Sequence, residues 1–165
     1  MVRRIGILLL LSFLGGCSQY DVSINDTMVY EPDKLFADYD ISDIALSECV
    51  AQAISDQNVT RIEQLTQLNC SNAGVMKLDG LRLFSGLQAV KLSDNPLRNL
   101  VELERLTLLT HLWLDNNQVV DPVPLRALKR LQTLDLRGND SLQCPEQSLF
   151  PPGVEVTLPA HCTTP

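Results

Sequence analysis

The sequence predicts an α/β repeat solenoid: a right-handed coil with a short parallel sheet on its concave face, an N-terminal helical cap and a disulfide-closed C-terminal cap. Three observations carry this reading. The pattern L-x-x-L-x-L-x-x-N occurs three times at a spacing of 22 residues, starting at Leu87, Leu109 and Leu131. The chain is 45% hydrophobic but only 5% aromatic, which calls for an aliphatic, repetitive core. Four of the five cysteines stand in two pairs, one towards each end of the repeats.

From the N-terminus, residues 1–16 read as an export signal. Arg3 and Arg4 supply a positive start, and Ile5–Leu14 is an apolar run of ten residues. That is shorter than the roughly 20 residues a membrane-spanning helix needs. The run ends in Leu14-Gly15-Gly16-Cys17, which resembles the lipobox of bacterial lipoproteins. The resemblance implies cleavage before Cys17 and attachment of a diacylglyceryl group to its sulfur. Ordinary secretory cleavage and a retained apolar anchor are the competing readings; lipidation is the expectation. Ser18 stands where lipoproteins kept in the inner membrane typically carry Asp, so the same resemblance implies the outer membrane. Acyl chains such as palmitate would hold the protein there, and the sequence leaves open whether it faces the periplasm or the cell surface.

Loss of Arg3 and Arg4 leaves 11 basic against 20 acidic side chains, and no basic cluster follows residue 4. A nucleic-acid surface is therefore excluded. Residues 17–40 hold six acidic residues, one lysine (Lys34) and no sustained period. They predict a lipidated acidic tether, with an acidic docking segment as the alternative. Residues 41–58 predict the helical cap. Leu46, Cys49, Val50, Ala53 and Ile54 fall on one helical face, and Ser42 or Asp43 is placed to cap the helix.

Residues 59–162 form the repeat domain, followed by a tail at 163–165. Leu65, Leu68 and Cys70 extend the register backwards, with Ala73 in the asparagine position, and Val156 and Leu158 extend it forwards. Val59 and Ile62 form a partial unit before Leu65. The back of each unit repeats as Val75, Leu81, Phe84, then Leu97, Leu103, Leu106, then Val119, Leu125, Leu128. Counting each unit from its first leucine, positions 3–7 are expected as a strand with positions 4 and 6 pointing inward. Asn95, Asn117 and Asn139 are expected to point inward and satisfy the backbone of the turn that follows.

Leu109–Leu128, with Asn117, Val119, Asp121 and Leu125, resembles the 22-residue class of leucine-rich repeats seen in internalins and in the regulatory subunit of nuclear protein phosphatase 1. The resemblance covers residues 59–162, about two-thirds of the chain. It implies protein binding through the concave sheet and no enzymatic activity, and it names no partner; no cofactor is expected. Lys77 and Asn99 depart from the Asp121-type residue, and the fifth unit loses its back half to Cys144-Pro145.

With Cys17 assigned to lipid, the four remaining cysteines allow three pairings. Cys49 lies on the buried helix face and Cys70 at an inward slot of the first unit, so the two should meet. Cys144 follows the last complete strand and Cys162 closes the terminal unit. A bond from Cys70 to Cys144 would span about 15 Å by strand spacing, beyond the roughly 7 Å that a disulfide allows. The expected bonds are Cys49–Cys70 and Cys144–Cys162.

Odd strand positions point to the concave face, and the only tryptophan of the chain, Trp113, falls in the middle of them. Around it are Lys91, His111, Asp115, Asp135 and Arg137. This is the composition of a partner-binding hot spot; a tryptophan that merely shields the sheet over the Lys91 and Arg137 stems is the bland alternative. With only two histidines, His111 and His161, and no free thiol left, neither a metal site nor a catalytic constellation is expected. The leading function is a lipid-anchored, non-enzymatic protein-binding module. The alternatives are an accessory envelope protein supporting an assembly and a weak carbohydrate-binding surface. Nothing in the sequence sets the oligomeric state, and a monomer is the default.

Overall fold

The computed structural model describes residues 22–24, 27–30 and 34–163. The expected signal peptide (1–16), the expected lipidation site Cys17 and the last two tail residues lie outside the described residues. The chain divides into two units, Met1–Asp33 and Lys34–Pro165. In the first, β1 (Val22–Ile24) and β2 (Thr27–Tyr30) pair antiparallel. The stretch expected as unbroken tether therefore contains a two-stranded ribbon. Its residues Val22, Ile24, Thr27, Val29 and Tyr30 are the β-branched and aromatic types that favour strands.

The second unit begins seven residues before the expected cap. Leu35, Phe36 and Tyr39 pack against the hydrophobic core instead of trailing into solvent. The Phe36 N–H donates to the Val59 carbonyl at 2.8 Å. The Tyr39 ring meets Phe84 edge-on at 5.5 Å. The chain passes so close to Gly80 that a β carbon there would collide with the Asp40 carbonyl oxygen, and Gly80 also has a φ of 93°.

The cap is α1 (Ile44–Asp56), with Asp43 as its N-cap. Leu46, Val50 and Ile54 are buried and Cys49 and Ala53 half-buried, so the expected face is the inner face. One Asp43 oxygen accepts from the Leu46 N–H at 3.0 Å; the other accepts from Met76 and Lys77 N–H at 2.9 and 3.0 Å. One carboxylate thus closes the helix start and fastens it to the first repeat.

Five parallel strands follow: β3 (Gln67–Asn69), β4 (Ala89–Lys91), β5 (His111–Trp113), β6 (Thr133–Asp135) and β7 (Glu155–Thr157), ordered as in the sequence. Each residue sits beside the one 22 positions on, as Gln67 beside Ala89 and Lys91 beside Trp113. On the convex side the chain returns through 3-10 turns at Leu81–Leu83, Val101–Arg105, Val123–Ala127 and Gln147–Leu149. Asn99 and Asp121 start two of these by accepting from the Val101 and Val123 N–H at 2.9 and 2.8 Å. Asn99 therefore does the work of the aspartate it replaces.

The strands occupy positions 3–5, shorter than the expected 3–7. Backbone bonds continue past them, with Leu92 N–H donating to the Trp113 carbonyl at 2.9 Å, but the chain then bends. The bend needs a left-handed residue at position 8, and Asn72, Asp94, Asn116 and Gly138 hold φ of 53°, 59°, 55° and 67° there. These are the residue types that tolerate that conformation.

The leucine slots fill the core. Leu87, Val90, Leu92, Leu109, Leu112, Leu114, Leu134 and Leu136 are fully buried, each stabilising the fold by roughly 1.5–3 kcal/mol. The asparagines run through this core as a ladder. Asn117 accepts from the Leu97 N–H at 3.1 Å and donates to the Leu92 and Leu114 carbonyls at 2.8 and 3.0 Å. Asn95 and Asn139 repeat the arrangement, Asn95 accepting from Gly74 and Val75 and Asn139 from Val119. Each asparagine thus serves the unit before its own. Ala73 needs no such side chain, because a helix and not a coil precedes it. His161 falls at the fifth position of this column and donates to the Leu142 carbonyl at 3.0 Å.

Disulfides join Cys49 to Cys70 and Cys144 to Cys162. At the far end the expected inward residues Val156 and Leu158 are only half-buried, because no further described strand covers β7.

Candidate functional site

The concave sheet and the side of α1 enclose a groove of about 670 Å³. Its floor is Gln67, Asn69, Ala89, Lys91, His111 and Trp113; its wall is Gln52, Ala53, Asp56 and Gln57 with Cys49. The floor arises because odd strand positions project to one face. The wall stands there because the Cys49–Cys70 bond and a hydrogen bond from Gln57 Nε2 to the Gln67 carbonyl, at 2.8 Å, hold α1 against β3. Ala89 leaves room in the centre for a ligand to reach the sheet. The groove comes from the helix beside the strands, which a count of strand residues does not reveal.

The six concave residues singled out from the sequence fall into two groups. Lys91, His111 and Trp113 line the groove. The His111 and Trp113 rings stack at 5.8 Å with 17° between their planes, as two residues on one face of one strand permit. Thr110 Oγ1 donates its single hydrogen to the Gln88 carbonyl at 3.0 Å and lies 2.8 Å from His111 Nδ1. With its hydrogen so used, the hydroxyl is placed to accept from Nδ1–H, which points the ring's other nitrogen away from Thr110. Trp113 is half-buried, and neither its indole N–H nor Lys91 has a hydrogen-bond or ion-pair partner among the described residues.

Asp115, Asp135 and Arg137 lie on the other side of Trp113 and are occupied with neighbours. Ser93 donates to Asp115 at 2.6 Å. Asp135 is 7% exposed and accepts from Arg137 Nε at 3.0 Å on each of its oxygens. Burial pushes the Asp135 carboxyl up, but the Arg137 side chain and backbone N–H outweigh it and hold the carboxyl below the usual aspartate value. Asp135 is thus closer to a structural acid than to a surface contact, and its partner Arg137 presents an already neutralised charge.

Sequence reasoning missed the wall residues Gln52, Asp56 and Gln57. They form the polar face of the predicted cap helix, and their spacing was a usable signal. Among the described residues one group of potential metal ligands lies close together, Cys144, His161 and Cys162, but both sulfurs are spent in a disulfide and offer no thiolate.

No protein-family model matches the chain. Among solved structures it is similar to internalin C2 of Listeria monocytogenes, at 23% identity and a TM-score of 0.46, over 71% of this chain and 65% of that one. It is also similar to an internalin, InlF, of the same organism, at 17% identity and a TM-score of 0.41, over 71% of this chain and 44% of the other. The functional domain of InlJ, also from Listeria monocytogenes, gives 18% identity and a TM-score of 0.40, over 65% and 34% of the two chains. The chain thus spans between about one-third and just under two-thirds of their lengths.

Proposed function

We propose that this chain is a lipid-anchored envelope protein that binds a protein partner in its concave groove and catalyses no reaction. The observation that carries the binding reading is Trp113: a large aromatic ring with an uncommitted N–H, half-exposed among polar side chains in a concave site. Buried area at such an anchor is worth more to binding than the same area at a rim. The non-enzymatic reading rests on occupation. Asp115 is engaged by Ser93 and Asp135 by Arg137, so neither of these carboxylates is left open to pair with His111 in acid–base work.

The anchor rests on the sequence of residues 1–17: Arg3 and Arg4, the apolar run Ile5–Leu14 and the Leu14–Cys17 motif. Among the described residues no helix is long and apolar enough to cross a membrane. Mass spectrometry of the intact envelope protein tests it: the expected result is an acylated N-terminal Cys17, lost in Cys17→Ser. Fractionation and protease shaving of cells then separate outer from inner membrane and surface from periplasm.

The binding test uses a photo-crosslinking amino acid at Ala89, in the groove, against one at Val123, on the convex side. A partner crosslinked from 89 and not from 123 is expected, with Trp113→Ala weakening it roughly thirtyfold, the size of a hot-spot loss of about 2 kcal/mol. Crosslinking from 123 alone would favour the accessory reading, in which the exposed column of Val101 and Val123 supports an assembly. The stacked His111–Trp113 pair beside Gln52, Gln57 and Gln67 suits a sugar ring as well. A glycan array probed with the protein and with Trp113→Ala distinguishes that case.

A further inference from the structure

We propose that the C-terminal end of the coil pairs with the same end of a second copy, β7 against β7, in antiparallel register centred on Val156. This is separate from the concave groove and replaces the default of a monomer.

β7 is the last strand of the sheet, and among the described strands only β6 lies beside it. The Glu155 N–H donates to the Gln132 carbonyl and the Thr157 carbonyl accepts from the Leu136 N–H, each at 2.8 Å. Residues 155 and 157 therefore aim their backbone groups at β6. By the alternation of a strand, Val156 aims both of its groups at the open edge, along with the Val154 carbonyl and the Leu158 N–H. A twofold axis through Val156 lets Val156 exchange both bonds with its own copy. The Leu158 N–H of each chain then reaches the Val154 carbonyl of the other.

The side chains agree with this register. Val154, Val156 and Leu158 are half-buried and, with Phe150, line an open hollow of about 1120 Å³ at the end of the coil. Pairing places Val156 against Val156 and Val154 against Leu158 of the copy, so the aliphatic core continues across the axis. On the concave face Glu155 comes opposite Thr157 of the copy. An axis at residue 155 would instead set Glu155 against Glu155, and like charges directly opposite are unfavourable. The backbone of 155 and 157, already committed to β6, and the Glu155 charge together favour the Val156 centre. At the other end of the described sheet α1 is held to β3 by the Cys49–Cys70 bond, and a twofold contact uses the same edge of both copies, so the contact closes at two.

Sedimentation of the purified full chain, in detergent matched in density to the solvent and in excess over the protein, tests this across a concentration series. The expected result is a concentration-dependent dimer. Thr157→Glu sets a carboxylate against Glu155 of the copy on both sides of the axis and should weaken association roughly tenfold or more. Thr157→Arg meets the same carboxylate with opposite charge and should strengthen association, which keeps the test decisive should Thr157→Glu fail to fold. A chain that stays monomeric throughout overturns the pairing and leaves the end to another occupant. A dimer indifferent to both substitutions, with melting unchanged, overturns it too.

Discussion

Asp43 and Met76 are 33 positions apart, and the carboxylate of the first accepts from the backbone N–H of the second at 2.9 Å. The same carboxylate caps α1 through Leu46 and also takes the Lys77 N–H. The cap helix and the first repeat are thus fixed by one side chain as well as by a disulfide.

The first prediction follows from that double duty. Burial pushes the Asp43 carboxyl up, but the N–H groups of Leu46, Met76, Lys77 and Ala45 outweigh it and hold it below its ordinary value of 3.8. A depressed folded value means that the contribution is complete above 3.8 and is lost as pH falls through the folded value. Asp43→Ala should cost about 1–2 kcal/mol at neutral pH. In thermal unfolding at a series of pH values, the gap between the two proteins should close at the acid end. A gap independent of pH would remove Asp43 as the cause.

Asn117→Ala should be among the most damaging polar substitutions. It strands the Leu97 N–H inside the core and takes one of two donors from each of the Leu92 and Leu114 carbonyls, which keep Asn95 and Asn139. At one to three kcal/mol for a buried group left unpaired, with two carbonyl bonds weakened besides, the loss is about 2–3 kcal/mol. Urea unfolding measures it, and crosslinking from residue 89 should be unaltered wherever the variant is folded.

Two glycines of similar backbone conformation should respond differently to alanine. Gly74 has a φ of 83° and open space around it, whereas Gly138 has a φ of 67° and faces the Asn116 side chain. Gly74→Ala should cost about 1–2 kcal/mol, the penalty of left-handed backbone alone. Gly138→Ala should cost more, because it also displaces Asn116 from its 2.8 Å bond to Asp94. Equal melting temperatures for the two variants would show that Asn116 yields freely.

Arg137→Ala should raise the Asp135 carboxyl pKa by removing its forked partner, an effect that carboxyl carbon NMR reads directly. Because Asp135 is depressed in the folded protein, the stability tied to it is present above its unfolded value and lost as pH falls. The variant should therefore be less stable at neutral pH and nearly equal in strong acid. Partner crosslinking from residue 89 should persist, unlike that of Trp113→Ala.

Non-reducing peptide mapping should recover Cys49 with Cys70 and Cys144 with Cys162, closing loops with sequence separations of 21 and 18. Each bond is worth roughly 3 kcal/mol on the loop-entropy account. A 70–144 peptide would contradict both caps.

The coil was legible because one requirement, a buried leucine at a fixed slot, recurs every 22 residues, and three full repeats fix the register. The left-handed column at Asn72, Asp94, Asn116 and Gly138 obeys the same period. It went unread because several residue types satisfy it, so no single letter repeats. Leu35, Phe36 and Tyr39 were illegible for a different reason: three contacts on the core around Phe84 have no period, and they lie in a run that alternates apolar with acidic residues without a sustained pattern. Of the concave residues, the strand alternation placed all six on one face. It did not show that Asp135 would be buried under Arg137, nor that α1 would wall the groove beside Lys91, His111 and Trp113, since both depend on how side chains lean and not on where they start.

Because each ladder asparagine reaches back to the unit before it, a whole 22-residue unit is an exchangeable module. Excising residues 87–108 would join Cys70 and its turn directly to the unit of Asn117, which can serve them as Asn95 does now. The distance from α1 to Trp113 would then shorten by one strand spacing, about 4.8 Å. Duplicating the unit would lengthen it by the same step. Groove length in this architecture is therefore counted in whole turns of the coil, and an ancestral gain or loss of one turn would have changed the size of ligand accepted without disturbing either cap.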